Sequence, residues 1–220
     1  MSILGEILSK IEEPNEESFA VLRVFGKSRE NPFILLVSII LSQNTSDSNA
    51  IRALENLEKL GLTEPTSIVN AGLEKVLQAV QVSGLGKIKA ERIMKLSEFL
   101  LERRDFLEKI CEKGEKARDE LMQLRGIGPK TADVFLLIYC GIPTFPVDRH
   151  INRVTERIVG KKMSYDETSA FWKEKVPPEK YREAHLKLIF VGRKYCRPAN
   201  PRCEFCPFNK SCSSSKITIR

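Results

Sequence analysis

The longest apolar run in the chain, FILLVSIIL at 33–41, follows Asn31-Pro32, a pair suited to capping and starting a helix. Being apolar on nearly every side, the segment Phe33–Ser42 reads as a helix enclosed in a core. A polar break, QNTSD at 43–47, leads into a second helix in which Ile51, Leu54 and Leu57 fall on one stripe. Shorter helices are expected at 65–71 and 73–81. GLG at 84–86 then punctuates the chain, and IKAERIMKLSEFLLERR at 88–104 is strongly amphipathic. The helical pattern resumes at 105–112 and 115–123. VFLLIYC at 134–140 has the apolar run of a strand, but it follows a helix start directly and lacks alternation, so 129–140 reads as a buried helix. Further helices are predicted at 148–160, 166–175 and 179–193. With no strand pair in the pattern, the predicted fold is all-α.

Composition narrows the classes. The 220 residues, 42% hydrophobic and 30% charged, are enough for one good core or two small ones. Lysine and arginine number 36 against 29 acidic residues, a net charge of +7 that favours a polyanionic partner without naming one. MSILGEILSKIEEPNEESF lacks both the basic start and the apolar run of a secretory signal. FILLVSIIL is about half the length that spans a bilayer. The expectation is therefore an intracellular protein with no membrane segment. In that compartment six cysteines point to metal or catalysis before disulfides. Abundant Lys, Glu and Ile hint at a hot habitat.

Two stretches carry chemistry. In LRGIGPKT at 124–131, Gly126 and Gly128 favour a tight turn and Pro129 suits the first position of a helix. Lys130 then falls in the first helical turn, where the macrodipole disfavours a cation. Either the amine meets an anion gathered there, or it is wanted neutral as a nucleophile. The second stretch is CRPANPRCEFCPFNKSC, whose Cys196, Cys203, Cys206 and Cys212 are spaced C-x6-C-x2-C-x5-C. Four thiols so placed indicate metal, and the spacing by itself admits zinc or an iron–sulfur cluster. Cys111 and Cys140 stand outside the set, and Cys140, ending an apolar helix, is expected to pack in the core. A fainter echo links GLGKIKAERI at 84–93 with GIGPKTADVF at 126–135, read as two hairpins between helices.

LRGIGPKTADVFL resembles the helix–hairpin–helix motif of the endonuclease III family of DNA glycosylases, and GIPTFPVDRHINRV continues the match through that family's Val-Asp-x-His element. The cysteine spacing is that of the same family's [4Fe–4S] loop, which decides for iron–sulfur. The resemblance implies a nucleophilic role for Lys130 and an essential carboxylate at Asp148, 18 residues on. A helix of roughly 11 residues rises about 16 Å and a seven-residue return spans about 23 Å, so the chain can bring Asp148 back to the helix end that carries Lys130. Asp148 also suits the N-cap of the following helix. A free lysine titrates near about 10.4, whereas attack on a sugar C1′ needs the neutral amine; a helix N-terminus, neighbouring cations and burial favour that form.

The resemblance also implies that the hairpin amides of Gly126, Ile127 and Gly128 grip DNA phosphates. Arg125 stands where the family has proline and Pro129 where it often has arginine, so the cation has changed sides and Arg125 is expected to contact phosphate. Arg197 and Arg202, inside the six-residue loop between the first two cysteines, suit a backbone contact with DNA. Extruding a base leaves a hole to fill. SGLGKIKAERI nominates Leu85 for this, and LSQNTSD nominates either Gln43, by residue type, or Asn44, by ungapped alignment on Asp47. His150 either orients Asp148, contacts phosphate, or is a core histidine; Trp172 and His185 read as structural.

The expected architecture is two helical lobes with a DNA-binding cleft between them: 32–142, six helices ending in the hairpin motif, and 1–31 with 143–220, carrying the cluster. The expected protein is a monomer, prokaryotic and cytoplasmic, acting on double-stranded DNA with a damaged base or abasic site. Its expected activity is that of a bifunctional DNA glycosylase and abasic-site lyase for oxidised pyrimidines such as thymine glycol. The alternatives are a mismatch or other modified-base glycosylase on the same scaffold, and a DNA-binding module without catalysis.

Overall fold

In the computed structural model, which describes residues 2–15, 19, 21, 31–114 and 116–215, the chain forms helices and turns, with no strand among the described residues. Residues 1, 16–18, 20 and 22–30 of the stretch 1–31, assigned from sequence to the cysteine-bearing lobe, lie outside the described residues. The chain divides into two compact units, 15–142 and 1–14 with 143–220.

Within 15–142, α2 (Pro32–Ser42) starts where the Asn31 side chain accepts the Ile34 amide. (Helix α1, Ile3–Ser9, belongs to the other unit.) Every residue from Phe33 to Leu41 is buried. Around α2 pack α3 (Asp47–Lys59), α5 (Gly86–Glu102), α6 (Phe106–Lys109) and α8 (Pro129–Phe135). Helix α4 (Pro65–Val80) lies along α5 and is broken at Gly72, whose φ of 77° splits it into the two stretches that the sequence predicts. Helix α7 (Lys116–Met122) packs on α8, and α8 runs on through a π-helical turn, Leu136–Cys140, to Gly141. The predicted helix over 129–140 is thus present with a wider last turn.

A lysine is enclosed in this unit. Lys89 on α5 is 1% exposed, and its ammonium donates to the carbonyls of Leu41 and Ser83, each at 2.7 Å. It joins the C-terminal end of α2 to the turn that precedes α5. Burial, with the Arg92 charge beside it, lowers its pKa to about 8.

Cys111 and Cys140 form a disulfide, with Cα atoms 5.1 Å apart. This corrects two expectations: two of the six cysteines pair with each other, and Cys140 is half-buried rather than packed in the core. The turn after α6 brings Cys111 beside the end of the π-helical turn, a proximity that comes from packing α6 and α8 against the same helix.

In the other unit, α9 (Arg149–Val159), α10 (Tyr165–Lys175) and α11 (Tyr181–Lys194) enclose an aromatic core in which Trp172 stacks at 6.4 Å on Phe145 and lies 6.2 Å from Phe208. The Trp172 indole donates to Thr155 Oγ1 at 2.7 Å, a structural role. Helix α1, absent from the sequence expectations, is capped by Ser2 and docks on α11, where Lys187 donates to the Ser9 carbonyl. Helices α9 and α11 meet closely at Gly192, where a Cβ would come 2.7 Å from His150 Cβ. His150 is half-buried there, with Nδ1 3.1 Å from Arg153 Nη2; a guanidinium only donates, so Nδ1 accepts. Burial holds the His150 pKa below its ordinary value; Asp148 opposes this, and Arg153, Arg193 and Arg149 reinforce it.

Two outcomes follow for stability. Replacing both Cys111 and Cys140 with Ser is expected to cost about 3 to 4 kcal/mol by chain entropy, read as a lower melting temperature that added reductant no longer changes. For His150 the folded-state pKa lies below the unfolded one, so its contribution is complete above about 6.5 and is lost as pH falls from there through the folded-state value. His150→Gln is expected to flatten the fall in melting temperature between about pH 6.5 and 5; Glu156 and Glu183, whose pKa values are lowered, titrate below that window.

Candidate functional site

The hairpin between α7 and α8 is built on close backbone approach. Gly126 has φ 89°, and a Cβ there would fall 2.5 Å from Arg92 Cδ, so the arginine stem lies where only glycine leaves room. The buried Ile127 anchors the turn, and its amide donates to the Leu124 carbonyl at 3.0 Å. Its amide is therefore engaged, while those of Gly126 and Gly128 have no hydrogen-bond partner among the described residues. An ion pair at 2.9 Å between Arg118 on α7 and the buried Asp133 on α8 clamps the two helices. Arg125 is exposed at the tip. Pro129 opens α8, and Lys130 follows it, half-buried, its ammonium without a hydrogen bond or ion pair among the described residues.

Three further residues of the same unit were singled out by sequence. Gln43, just past the end of α2, is captured: its amide donates to Thr131 Oγ1 at 3.1 Å and to the Gly126 carbonyl at 3.3 Å, and its Oε1 accepts from Arg92 Nη1 at 2.6 Å. Asn44 is exposed, in the left-handed region at φ 52°, with no hydrogen-bond partner for its side chain among the described residues. Leu85 is also left-handed at φ 52° and is 55% exposed. A leucine held in that conformation with its side chain in solvent is strained and costly to leave wet, a combination that marks contact surfaces.

Asp148 is placed by the segment before it. Residues 144–147 are buried, with the Phe145 carbonyl held by Ser169 at 2.9 Å and the Pro146 carbonyl by His185 Nδ1 at 2.9 Å. His185 thus has the structural role expected of it. Asp148 then caps α9, its Oδ1 accepting the amides of His150 and Ile151, both at 2.8 Å. At the other end of α9 stands the cysteine loop. The Ser213 and Ser214 amides cap the Ile158 and Arg157 carbonyls, each at 3.1 Å. Arg157 Nη1 donates to the Arg197 carbonyl at 2.7 Å and reaches Cys196 Sγ at 3.4 Å, while Arg153 Nε donates to the Cys196 carbonyl at 2.8 Å. Helix α9 alone thus fixes the aspartate at one end and the loop at the other. Sequence reasoning missed Arg153 and Arg157; their spacing of four on α9, one face, was the available signal.

Cys196, Cys203, Cys206 and Cys212 are free thiols, all half-buried. The Cys206 pKa is raised to about 11, by burial first and by the other three thiols beside it, with the Phe208 amide opposing them. No three Cys, His, Asp or Glu side chains among the described residues are gathered tightly enough to hold a metal ion. Arg202, Lys194 and Lys210 are exposed around the loop, and Arg197 is half-buried. No helix among the described residues is long and apolar enough to cross a membrane.

Residues 37–178 match the HhH-GPD superfamily of base excision DNA repair proteins. The chain is 34% identical over 218 residues to endonuclease III of Sulfolobus acidocaldarius, covering 96% of both chains, and 35% identical over 184 residues to that of Bacillus subtilis, covering 83% of this chain and 81% of the relative. Its fold is similar to that of a trapped endonuclease III–DNA covalent intermediate, with a TM-score of 0.74, 30% identity and 87% of each chain covered. A non-covalent endonuclease III–DNA complex matches with a TM-score of 0.73 at 31% identity over 85% of each chain. The match over residues 37–178 and the 34% identity across 96% of both chains place this protein in the endonuclease III family of the HhH-GPD superfamily.

Proposed function

We propose that this DNA glycosylase and abasic-site lyase removes oxidised pyrimidines, with Lys130 as nucleophile and Asp148 as its carboxylate partner. The observation that carries the reading is Lys130 itself: an amine in the first turn behind the hairpin, engaged by no other described residue. In the reaction the neutral amine attacks C1′ of the damaged nucleoside and the bond from C1′ to the base breaks. Asp148 takes the amine proton and offsets positive charge developing on the sugar. The C1′–O4′ bond then breaks, a proton passing to O4′, and the open-chain Schiff base so formed acidifies the C2′ hydrogen, whose loss expels the 3′ phosphate by β-elimination. That the related endonuclease III is known as a trapped covalent intermediate with DNA supports a covalent step here. The preference for oxidised pyrimidines rests on family resemblance.

DNA is held, in this reading, by the open amides of Gly126 and Gly128, by Arg125, and by Arg197 and Arg202 of the cysteine loop, with Leu85 entering the stack. Ile127 contributes through its buried side chain, since its amide is taken. His150 acts on Asp148 through the α9 cap. The four cysteines hold a [4Fe–4S] cluster that keeps the loop folded. The protein acts as a monomer on double-stranded DNA in the cytoplasm of a prokaryote.

Borohydride trapping on a duplex with one abasic site tests the chemistry. Wild type is expected to give a covalent adduct and Lys130→Ala none. Asp148→Asn, which keeps the helix cap, is expected to slow trapping and base removal by roughly 100-fold. A folded, DNA-binding wild type that forms no adduct would remove the lyase assignment. Purified protein is expected to be brown, with absorbance near about 400 nm that disappears on replacing Cys203 or Cys206 with Ser.

A further inference from the structure

Gln43 and Asn44 are adjacent, and sequence offers each as the side chain that fills the gap left by an extruded base. We infer that Gln43 is a positioning residue that holds the hairpin behind Lys130, which leaves to Asn44 the gap-filling role that the family resemblance implies. The inference rests on the glycosylase–lyase reading and goes beyond it by giving Gln43 and Arg92 an internal task.

Both N–H groups of the Gln43 amide are used, one on Thr131 Oγ1 and one on the Gly126 carbonyl, and its oxygen accepts a charge-assisted bond from Arg92. The two acceptors flank the nucleophile. Gly126 makes the turn, and Thr131 follows Lys130 directly in α8. Arg92 adds a second hold, because its stem occupies the space over the Gly126 Cα. The end of α2, the first half of α5 and the hairpin are thereby joined through one side chain. For Gln43 to enter a duplex, all three bonds must break and Arg92 must lose its partner. Asn44 has nothing to break: it is exposed, and its side chain has no hydrogen-bond partner among the described residues. Its backbone shares the left-handed conformation of the exposed Leu85, and the two loops are tied through Lys89, which bonds the carbonyls of Leu41 and Ser83. The two exposed side chains thus stand on loops held at a fixed separation.

The test uses the full chain and three substrates: an abasic site in single-stranded DNA, the same site in duplex, and thymine glycol in duplex opposite each of the four bases. A single strand has no opposite base and no gap to fill, so it reads the placement of the lysine alone. Gln43→Ala and the equal-volume Gln43→Met are expected to slow single-turnover cleavage of the single-stranded substrate by roughly 10-fold to 100-fold, with little change in its KM. Combining Gln43→Ala with Thr131→Val is expected to be no slower than the slower single variant, because both break the same link. Asn44→Ala is expected to lose more on duplex than on single-stranded DNA, by an amount that depends on the opposite base. Circular dichroism melts establish that each variant is folded. The inference is overturned if the Gln43 variants lose activity only on duplex and according to the opposite base, or lose none. Absence of a borohydride adduct from wild type would instead bring down the lysine chemistry itself, a result separable from an active wild type indifferent to Gln43.

Discussion

Nine successive buried residues, Phe33 to Leu41, give α2 no face that water can wet, and the helix is stable only where other helices enclose it on all sides. Helices α3, α5, α6 and α8 do so, which fixes where each of them runs. The polar groups that such a helix cannot avoid are at its ends. At the C-terminal end the Leu41 carbonyl meets the buried ammonium of Lys89, and the next residues to emerge are Gln43 and Asn44. The candidate contacts with DNA therefore begin where the apolar helix runs out, and the hairpin on α8 is beside them because α8 packs on that same helix.

In the other unit one helix carries two unlike tasks. Asp148 caps the start of α9 through a single carboxylate oxygen, and the cysteine loop caps its end and takes bonds from Arg153 and Arg157 along its side. Folding of the loop and placement of the aspartate are consequently linked through about three turns of helix, a short and stiff connection.

What sequence disclosed was local chemistry. Glycine, proline and cysteine at fixed short spacings mark the hairpin and the four-thiol loop because those residue types have few other reasons to occur together. Helix positions followed from apolar periodicity, including the break at Gly72. Sequence could not disclose what depends on distant residues meeting. Cys111 and Cys140 are 29 positions apart, and their pairing arises from two elements packing on α2. Lys89 lies in an amphipathic helix with several lysines, and nothing in the pattern marks it as the buried one. What separates Gln43 from Asn44 is Arg92, 49 positions from Gln43 in sequence, which bonds one and not the other. Helix α1 leaves little trace in the sequence because a seven-residue stretch has a weak period, and its stability comes from docking on α11.

The disulfide also changes what the hairpin is as a piece of covalent chain. Cys111 and Cys140 lie on either side of α7, the glycine turn and α8, so the lysine and the open amides belong to a closed ring. Arg125 and Pro129, on either side of the glycine turn, are exposed points of that ring. A single cut by a protease at the tip opens the ring into a line whose two ends stay tethered, and no fragment leaves. The turn that precedes Lys130 is thus one whose scission does not divide the molecule.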